Sequence, residues 1–254
     1  MMEESVDDMF SHCVEEMANK VQEVYFPREI KESDFETDWQ KSEDCTYESF
    51  VRLLDEDKAL TKDHLQAICV YADKWPYLPA TETLNEALSL GARNYSTPAF
   101  QYHASYYWLT TAVQHLQHLR KSCETAYRRS DLVYEGEEKQ IIRFGFFASS
   151  SRSPNMVGFG EETCFHIKTC LGAHIGYYTN DSSIYEVLIP PYEKFKVIKI
   201  LSGTPLDPFV SYGYLRRCNK IFVLESVGSE SRLNYVILFE RCKTNLPTGT
   251  NKVT

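Results

Sequence analysis

An α+β fold is predicted for this 254-residue chain by three observations. Helical periodicity is confined to the first half, short β-branched and aromatic runs are confined to the second, and the two do not alternate as a doubly wound sheet requires. With 43% hydrophobic residues the chain can bury a large core within a single domain, 1–254. The division falls near Cys123, giving a helical lobe over about 1–122 and a strand-rich core over about 123–242. A polar tail over 243–254 contains Pro and Gly and is expected to fray.

Taking the elements in order, Val6, Phe10, Cys13, Val14, Met17, Val21 and Val24 recur at three- and four-residue spacings among Glu, Lys and Gln, which predicts an amphipathic helix from Val6 to Val24. Asp63 is the expected cap of a second helix carrying Leu65, Ile68, Cys69 and Ala72, with Tyr71 in its last turns and Pro76 stopping it just after Trp75. A third helix, from His103 to Arg120, presents Tyr106, Leu109, Val113, Leu116 and Leu119 on one side. Beyond Cys123 the runs Ile141 to Ala148, Thr163 to Thr169, Tyr185 to Ile189, Phe195 to Leu201, Lys220 to Leu224 and Leu233 to Phe239 read as strands separated by turn residues.

A formal charge of -9 without a basic run argues against nucleic acid or an anionic membrane as the main partner, because Lys and Arg hold both. An anionic dinucleotide needs only local cations. No stretch approaches the roughly 20 apolar residues that span a bilayer, and the acidic N-terminus lacks a signal-peptide pattern, so a soluble chain is expected. The eight cysteines have no C-x-x-C spacing, which disfavours a structural zinc site and leaves disulfides or buried thiols. His115 and His118 share a helix face without acidic partners and read as solvated, so no metal is expected. The sequons Asn94-Tyr95-Ser96 and Asn180-Asp181-Ser182 fit an oxidising, secretory setting.

Three pieces of the second half form an ordered set. The first, Cys123-Glu124-Thr125-Ala126-Tyr127-Arg128, is a cysteine followed by a strand ending in Tyr-Arg. The second, Ile142-Arg143-Phe144-Gly145-Phe146-Phe147-Ala148-Ser149-Ser150-Ser151, is a strand running into an S-x-S triplet. The third joins Thr169-Cys170-Leu171-Gly172-Ala173 to Glu186-Val187-Leu188-Ile189-Pro190-Pro191-Tyr192-Glu193. Together they resemble the vertebrate ecto-mono-ADP-ribosyltransferases, the NAD(P)⁺–arginine ADP-ribosyltransferases, which share their fold with arginine-specific bacterial toxins and carry the signature R-S-E-x-E. In the helical half, Tyr71 before a Leu/Asn/Ala helix and the Tyr-rich helix ending Leu119-Arg120 have counterparts in the family.

The resemblance implies a helical lobe packed on a two-sheet β core and NAD⁺ as substrate. Arg128, Ser149 and Glu186 match the catalytic set, and Tyr71, Arg128, Phe146 and Ser149 fall at NAD-binding positions. Expelling neutral nicotinamide leaves an oxocarbenium-like ribose, which the carboxylate of Glu186 would stabilise while accepting a hydrogen bond from the ribose 2′-hydroxyl. Arg128 would offer paired donors to the pyrophosphate, and Ser149 would hold the nicotinamide ribose. The resemblance also implies a Cys123–Cys170 bridge and a second one from Cys13, with Cys242 or Cys218 as its partner. It points to an extracellular monomer acting on NAD⁺ and an unidentified acceptor protein or water.

Three positions depart from the family pattern. Ile184 stands two residues before Glu186 where arginine-specific members carry a second Glu that orients the acceptor, and an alkyl group can neither take a proton nor pair with a cation. Arginine transfer is therefore expected to be impaired, with Asp181 the nearest substitute. Phe146 replaces a frequent Gln and Arg129 a frequent Gly, and both are expected to reshape the NAD pocket. Tyr177 and Tyr178, before Glu186, are read as loop tyrosines rather than nicotinamide-stacking groups. Two other readings of the same site are an NAD⁺ glycohydrolase and a catalytically idle surface or secreted binding protein.

Overall fold

The computed structural model describes residues 2–11, 14–31, 35–72, 80–120, 122–180, 183, 185–202, 215 and 217–234. Among the described residues, seven helices lie in the first half and eight strands in the second. The helices are α1 (Val14–Lys20), which passes through a π-helical turn (Val21–Tyr25) into α2 (Phe26–Glu29), then α3 (Phe35–Lys41), α4 (Glu43–Val51), α5 (Lys62–Ala72), α6 (Ala80–Leu90) and α7 (His103–Arg120). The strands are β1 (Glu124–Ser130), β2 (Ile141–Ile142), β3 (Ala148–Ser151), β4 (Thr163–Thr169), β5 (Ala173–His174), β6 (Glu186–Ile189), β7 (Glu193–Ser202) and β8 (Lys220–Ser229).

The strands hydrogen-bond in the order β2-β7-β8-β4-β1-β3-β6-β5, all antiparallel except β4 with β8. The two expected sheets are thus two wings of one continuous sheet. Five strands end at β1, three begin at β3, and the wings meet through a single register pair, Tyr127 with Ser151. One core lies between the wings, with Ala126, Phe165 and Ile167 from the first and Ala148, Val187 and Ile189 from the second. Because side chains alternate along a strand, Phe147 and Leu188 turn the other way and join the core of the helical lobe.

That lobe is built around α7, whose Tyr106, Leu109, Val113 and Leu116 are buried as their spacing predicts, while Leu119 is 41% exposed. Trp108 meets Trp39 and Phe26 at ring-centroid distances of 5.2 and 5.1 Å, offset arrangements that add to the apolar area removed from water.

The helix expected over Val6 to Val24 begins only at Val14. Residues 2–11 form an irregular strap instead, with φ at +55° at Phe10. Its carboxylates explain the difference. Asp8 Oδ1 accepts the Phe10 N–H at 2.8 Å, and a short acid that captures local backbone donors competes with a helix. Asp7 turns inward to Arg143, Nη1 to Oδ2 2.7 Å, with neither side chain exposed. Val6 and Phe10 are nevertheless core residues, whereas Val24 is 49% exposed. Cys13 lies outside the described residues.

Other boundaries shift for local reasons. Thr61, not Asp63, caps α5: its hydroxyl accepts the His64 N–H at 3.4 Å and its own N–H donates to His64 Nδ1 at 3.0 Å, a reciprocal cap in which the imidazole takes the usual glutamate role. Asp63 sits inside the first turn and accepts Gln22 Nε2 at 2.7 Å. The run Ile141 to Ala148 splits into β2 and β3 because Gly145 adopts φ +76°, where an added Cβ would lie 2.7 Å from Met2 Cβ. Leu233 and Asn234 are irregular, and the rest of the run to Phe239, the stop at Pro76, Cys242 and the tail lie outside the described residues.

Candidate active site

The site gathers where β3 and β6 present their alternate residues to the helical lobe. Ser149 follows Phe147 by two residues, and Glu186 precedes Leu188 by two, so both share the face that packs on α5 and α6. Tyr71, at the end of α5, reaches across to this face. Its hydroxyl donates to the Phe147 carbonyl at 2.5 Å and receives the Ser149 hydroxyl at 3.4 Å. From the neighbouring strand, Arg128 Nη1 donates to the Ser149 carbonyl at 2.7 Å. Its guanidinium lies 5.6 Å from the centroid of the Phe146 ring, a cation–π contact.

Burial grades inward across this group. Arg128, Phe146 and Ser149 are half-buried and line an opening, whereas Tyr71 and Glu186 are each 2% exposed at its depth. Burial pushes the Tyr71 hydroxyl up to about 12. The donated bonds from Ser149 and Asn85 and the charge of Arg128 oppose that rise, and the charge of Glu186 adds to it. Tyr71 therefore stays a neutral donor at neutral pH, bonded to Ser149, whose carbonyl takes Arg128, while Glu186 shares the strand face of Ser149. Among the described residues the buried Nε of Arg128 has no hydrogen-bond partner. An unsatisfied guanidinium donor beside an opening suits an anionic oxygen such as a phosphate.

Two residues that the motifs did not single out hold this arrangement. Asn85, on α6, accepts the Phe147 N–H at 3.2 Å and donates from Nδ2 to both the Phe147 carbonyl and the Tyr71 hydroxyl at 3.3 Å. Glu193, fully buried at the start of β7, accepts Thr169 Oγ1 at 2.5 Å, the Cys170 N–H at 2.7 Å, the Leu171 N–H at 3.1 Å and Ser226 Oγ at 2.6 Å. Burial raises its pKa against these bonds. The Thr-Cys-Leu-Gly turn is thus folded around a carboxylate from the Pro-Pro-Tyr-Glu segment, which is why the two sequence pieces occur together. The hint in the sequence was the acid that directly follows Pro190-Pro191-Tyr192.

The remaining candidates divide. Cys123 and Cys170 form a disulfide that closes the same turn. Cys218 is bonded to Cys164, which removes it as a partner for Cys13, and Cys45–Cys69 is a further bridge that the motifs did not suggest. Arg129 does not line the opening. As the neighbour of Arg128 on β1 it faces the other way, donating to the Pro154 carbonyl at 3.1 and 3.2 Å, with Nη1 3.4 Å from Cys218 Sγ. Tyr178 is buried and its hydroxyl donates to Asp57, while Tyr177 is 40% exposed. His115 is half-buried rather than solvated. Among the described residues no group of His, Cys, Asp or Glu is arranged to hold a metal ion, and no helix is long and apolar enough to cross a membrane. Ile184 and Asp181 lie outside the described residues.

Comparison with known proteins decides the family. Residues 1–204 match the ART family model, described as NAD:arginine ADP-ribosyltransferase. The chain belongs to this ADP-ribosyltransferase family. Among its relatives, T-cell ecto-ADP-ribosyltransferase 1 of Mus musculus is 30% identical over 212 residues, covering 80% of this chain and 69% of the relative. Ecto-ADP-ribosyltransferase 4 of Homo sapiens is 31% identical over 214 residues, covering 77% and 63%. This ADP-ribosyltransferase chain therefore spans about two thirds of the length of those relatives. A mutant of the eukaryotic mono-ADP-ribosyltransferase ART2.2 crystallised in complex with NAD superposes with TM-score 0.75 at 22% identity, covering 92% of this chain and 96% of that one. At that identity the likeness establishes the α+β fold with its helical lobe.

Proposed function

We propose that the chain is an NAD⁺-dependent mono-ADP-ribosyltransferase. In the reaction the bond between the nicotinamide nitrogen and ribose C1′ breaks, its electron pair stays with the departing neutral ring, and an acceptor nitrogen or water attacks C1′ and loses a proton. The observation that carries the reading is a buried carboxylate, Glu186, on the same strand face as Ser149, to which Tyr71 and Arg128 are hydrogen-bonded. Family membership supports it.

In this reading Arg128 takes the pyrophosphate through donors that its bond to Ser149 leaves over, and Ser149 orients the nicotinamide ribose. Glu186 faces the anomeric carbon. Its low exposure makes the charge effective, since a carboxylate beside a developing cation gains far more in a water-poor pocket than in bulk water. Tyr71 keeps β3 in place and offers an oxygen beside the ribose. The acceptor is a protein side chain. With Ile184 in place of a second acid, a free guanidinium lacks its orienting partner, so transfer to agmatine is slow and water competes. The three disulfides among the described residues and the exposed Asn94 of the first sequon fit a glycosylated protein acting outside the cytosol, taken here as a monomer.

The test follows nicotinamide release from NAD⁺. Release from the parent protein and a loss of at least about 100-fold in Glu186→Gln is the expected result. No release from the parent, or an unchanged rate in the variant, overturns the proposal. Robust ADP-ribosyl-agmatine formation would refute the part assigned to Ile184.

A further inference from the structure

The helix α4 is inverted in its amphipathicity. It buries Cys45, Thr46 and Ser49 and shows solvent Tyr47 at 70%, Phe50 at 53% and Val51 at 67% exposure, with Leu54 just beyond it at 39%. Tyr47, Phe50 and Val51 follow the i, i+3, i+4 spacing that places them in one stripe of the helix, and Leu54 stands on the extended residue that follows it. Helices ordinarily turn such a stripe to the core. Scattered exposed apolar residues need no explanation, but a contiguous aromatic and aliphatic row on one helix does.

The buried side of α4 explains how this orientation is fixed. Cys45 is bonded to Cys69 of α5, Ser49 Oγ donates to the Tyr178 carbonyl at 3.1 Å, and Arg52 Nη2 donates to the Thr179 carbonyl at 3.0 Å with its guanidinium 6.0 Å from the centroid of the exposed Tyr177 ring. The 3₁₀ turn Gly176–Tyr178 so gripped is itself against the catalytic strand. The Ile175 N–H donates to the Glu186 carbonyl at 2.9 Å, and a Cβ on Gly176 would lie 2.8 Å from the Glu186 backbone nitrogen. The stripe thus continues through Arg52 and Tyr177 to the strand that carries Glu186. It is bordered by exposed Glu43, Asp44, Glu48, Asp55 and Glu56, of which Asp55 is paired with Lys58.

From this juxtaposition we propose that the outer face of α4 is the docking surface for the acceptor protein, and that it takes a cationic amphipathic segment whose apolar residues lie on Tyr47, Phe50, Val51 and Leu54 while its Arg or Lys residues meet the acidic border. The proposal rests on the transferase reading. It also deepens it: a site without an orienting acid before Glu186 gains most from binding energy made away from the reacting atoms, which presents the acceptor at the ribose by proximity. The acidic border repels an anionic lipid surface.

The experiment measures fluorescence anisotropy of a labelled amphipathic helical peptide of leucine and arginine titrated with the whole protein. The expected result is binding that Phe50→Ser/Val51→Ser weakens by about tenfold or more, that Glu43→Lys/Glu48→Lys weakens similarly, and that a leucine–glutamate peptide does not show. Both double variants keep the parent's thermal midpoint and its nicotinamide release. Equal affinity in parent and variants overturns the proposal. So does a parent dimer in sedimentation that Phe50→Ser/Val51→Ser dissolves, or phosphatidylserine-vesicle binding lost in that same variant. Glu186→Gln retains peptide binding, so a failure of the catalytic reading and a failure of the docking surface give different results.

Discussion

The carboxamide of Asn85 meets the N–H and the C=O of Phe147 together, and with the same NH₂ it touches the Tyr71 hydroxyl. Two positions further along β3 stands Ser149. Truncating this amide leaves the Phe147 N–H buried without its acceptor, while Tyr71 still satisfies the carbonyl. Asn85→Ala is expected to lower the unfolding free energy by about 1–3 kcal/mol in a urea titration. Because the loss frees the entrance to β3, it should also raise KM for NAD⁺ more than it lowers kcat in steady-state nicotinamide release. An equal fall in kcat with KM unchanged would show that Asn85 acts on the transition state and not on the geometry of Ser149. Tyr71 carries two duties in the same cluster, as a brace for Phe147 and as an oxygen beside the ribose in the proposed reaction.

At the scale of elements, the N-terminal strap shows both the reach and the limit of periodicity. Its apolar residues were legible as core, but not its conformation, because that depends on Asp7 finding Arg143 and Asp8 finding Tyr95 across the fold. Burial, opposed by bonds from Phe10 and Tyr95, pushes Asp8 up to about 7. A carboxyl raised above its ordinary value is most stabilising while protonated, so its contribution is complete below about pH 4 and is lost as pH rises through 7. In denaturant titrations from pH 4 to 8, Asp8→Asn should therefore gain stability relative to the parent as pH rises; a constant difference would refute the assignment. Elements with a regular pattern of their own were read well: α7 and β4 fall where the sequence puts them, although β4 pairs with the distant β1 and β8. The order of Arg128, Ser149 and Glu186 was legible because each sits in a short motif on its own strand. Asn85 and Glu193 were not, since their ligands are backbone groups delivered by distant segments, and α4 was not, since its apolar residues face the solvent.

At the scale of the molecule, among the described residues three disulfides join Cys45 to Cys69, Cys123 to Cys170 and Cys164 to Cys218, closing separations of 24, 47 and 54 residues. One ties two helices, one closes the turn around Glu193, and one lies behind β1 against Arg129. Loops of this size are worth about 2–4 kcal/mol each, so full reduction should lower the thermal midpoint by more than about 10 °C, read by circular dichroism with and without reductant. A midpoint unaffected by reduction would contradict that contribution. The first of these bonds has a mechanical meaning as well. Cys69 precedes Tyr71 by two residues, so the sulfur bridge forms a strut from the outer helix to the hydroxyl beside Ser149. The bond is one of three ties on α4, and with it cut Ser49 and Arg52 still grip the Gly176–Tyr178 turn beside the Glu186 strand.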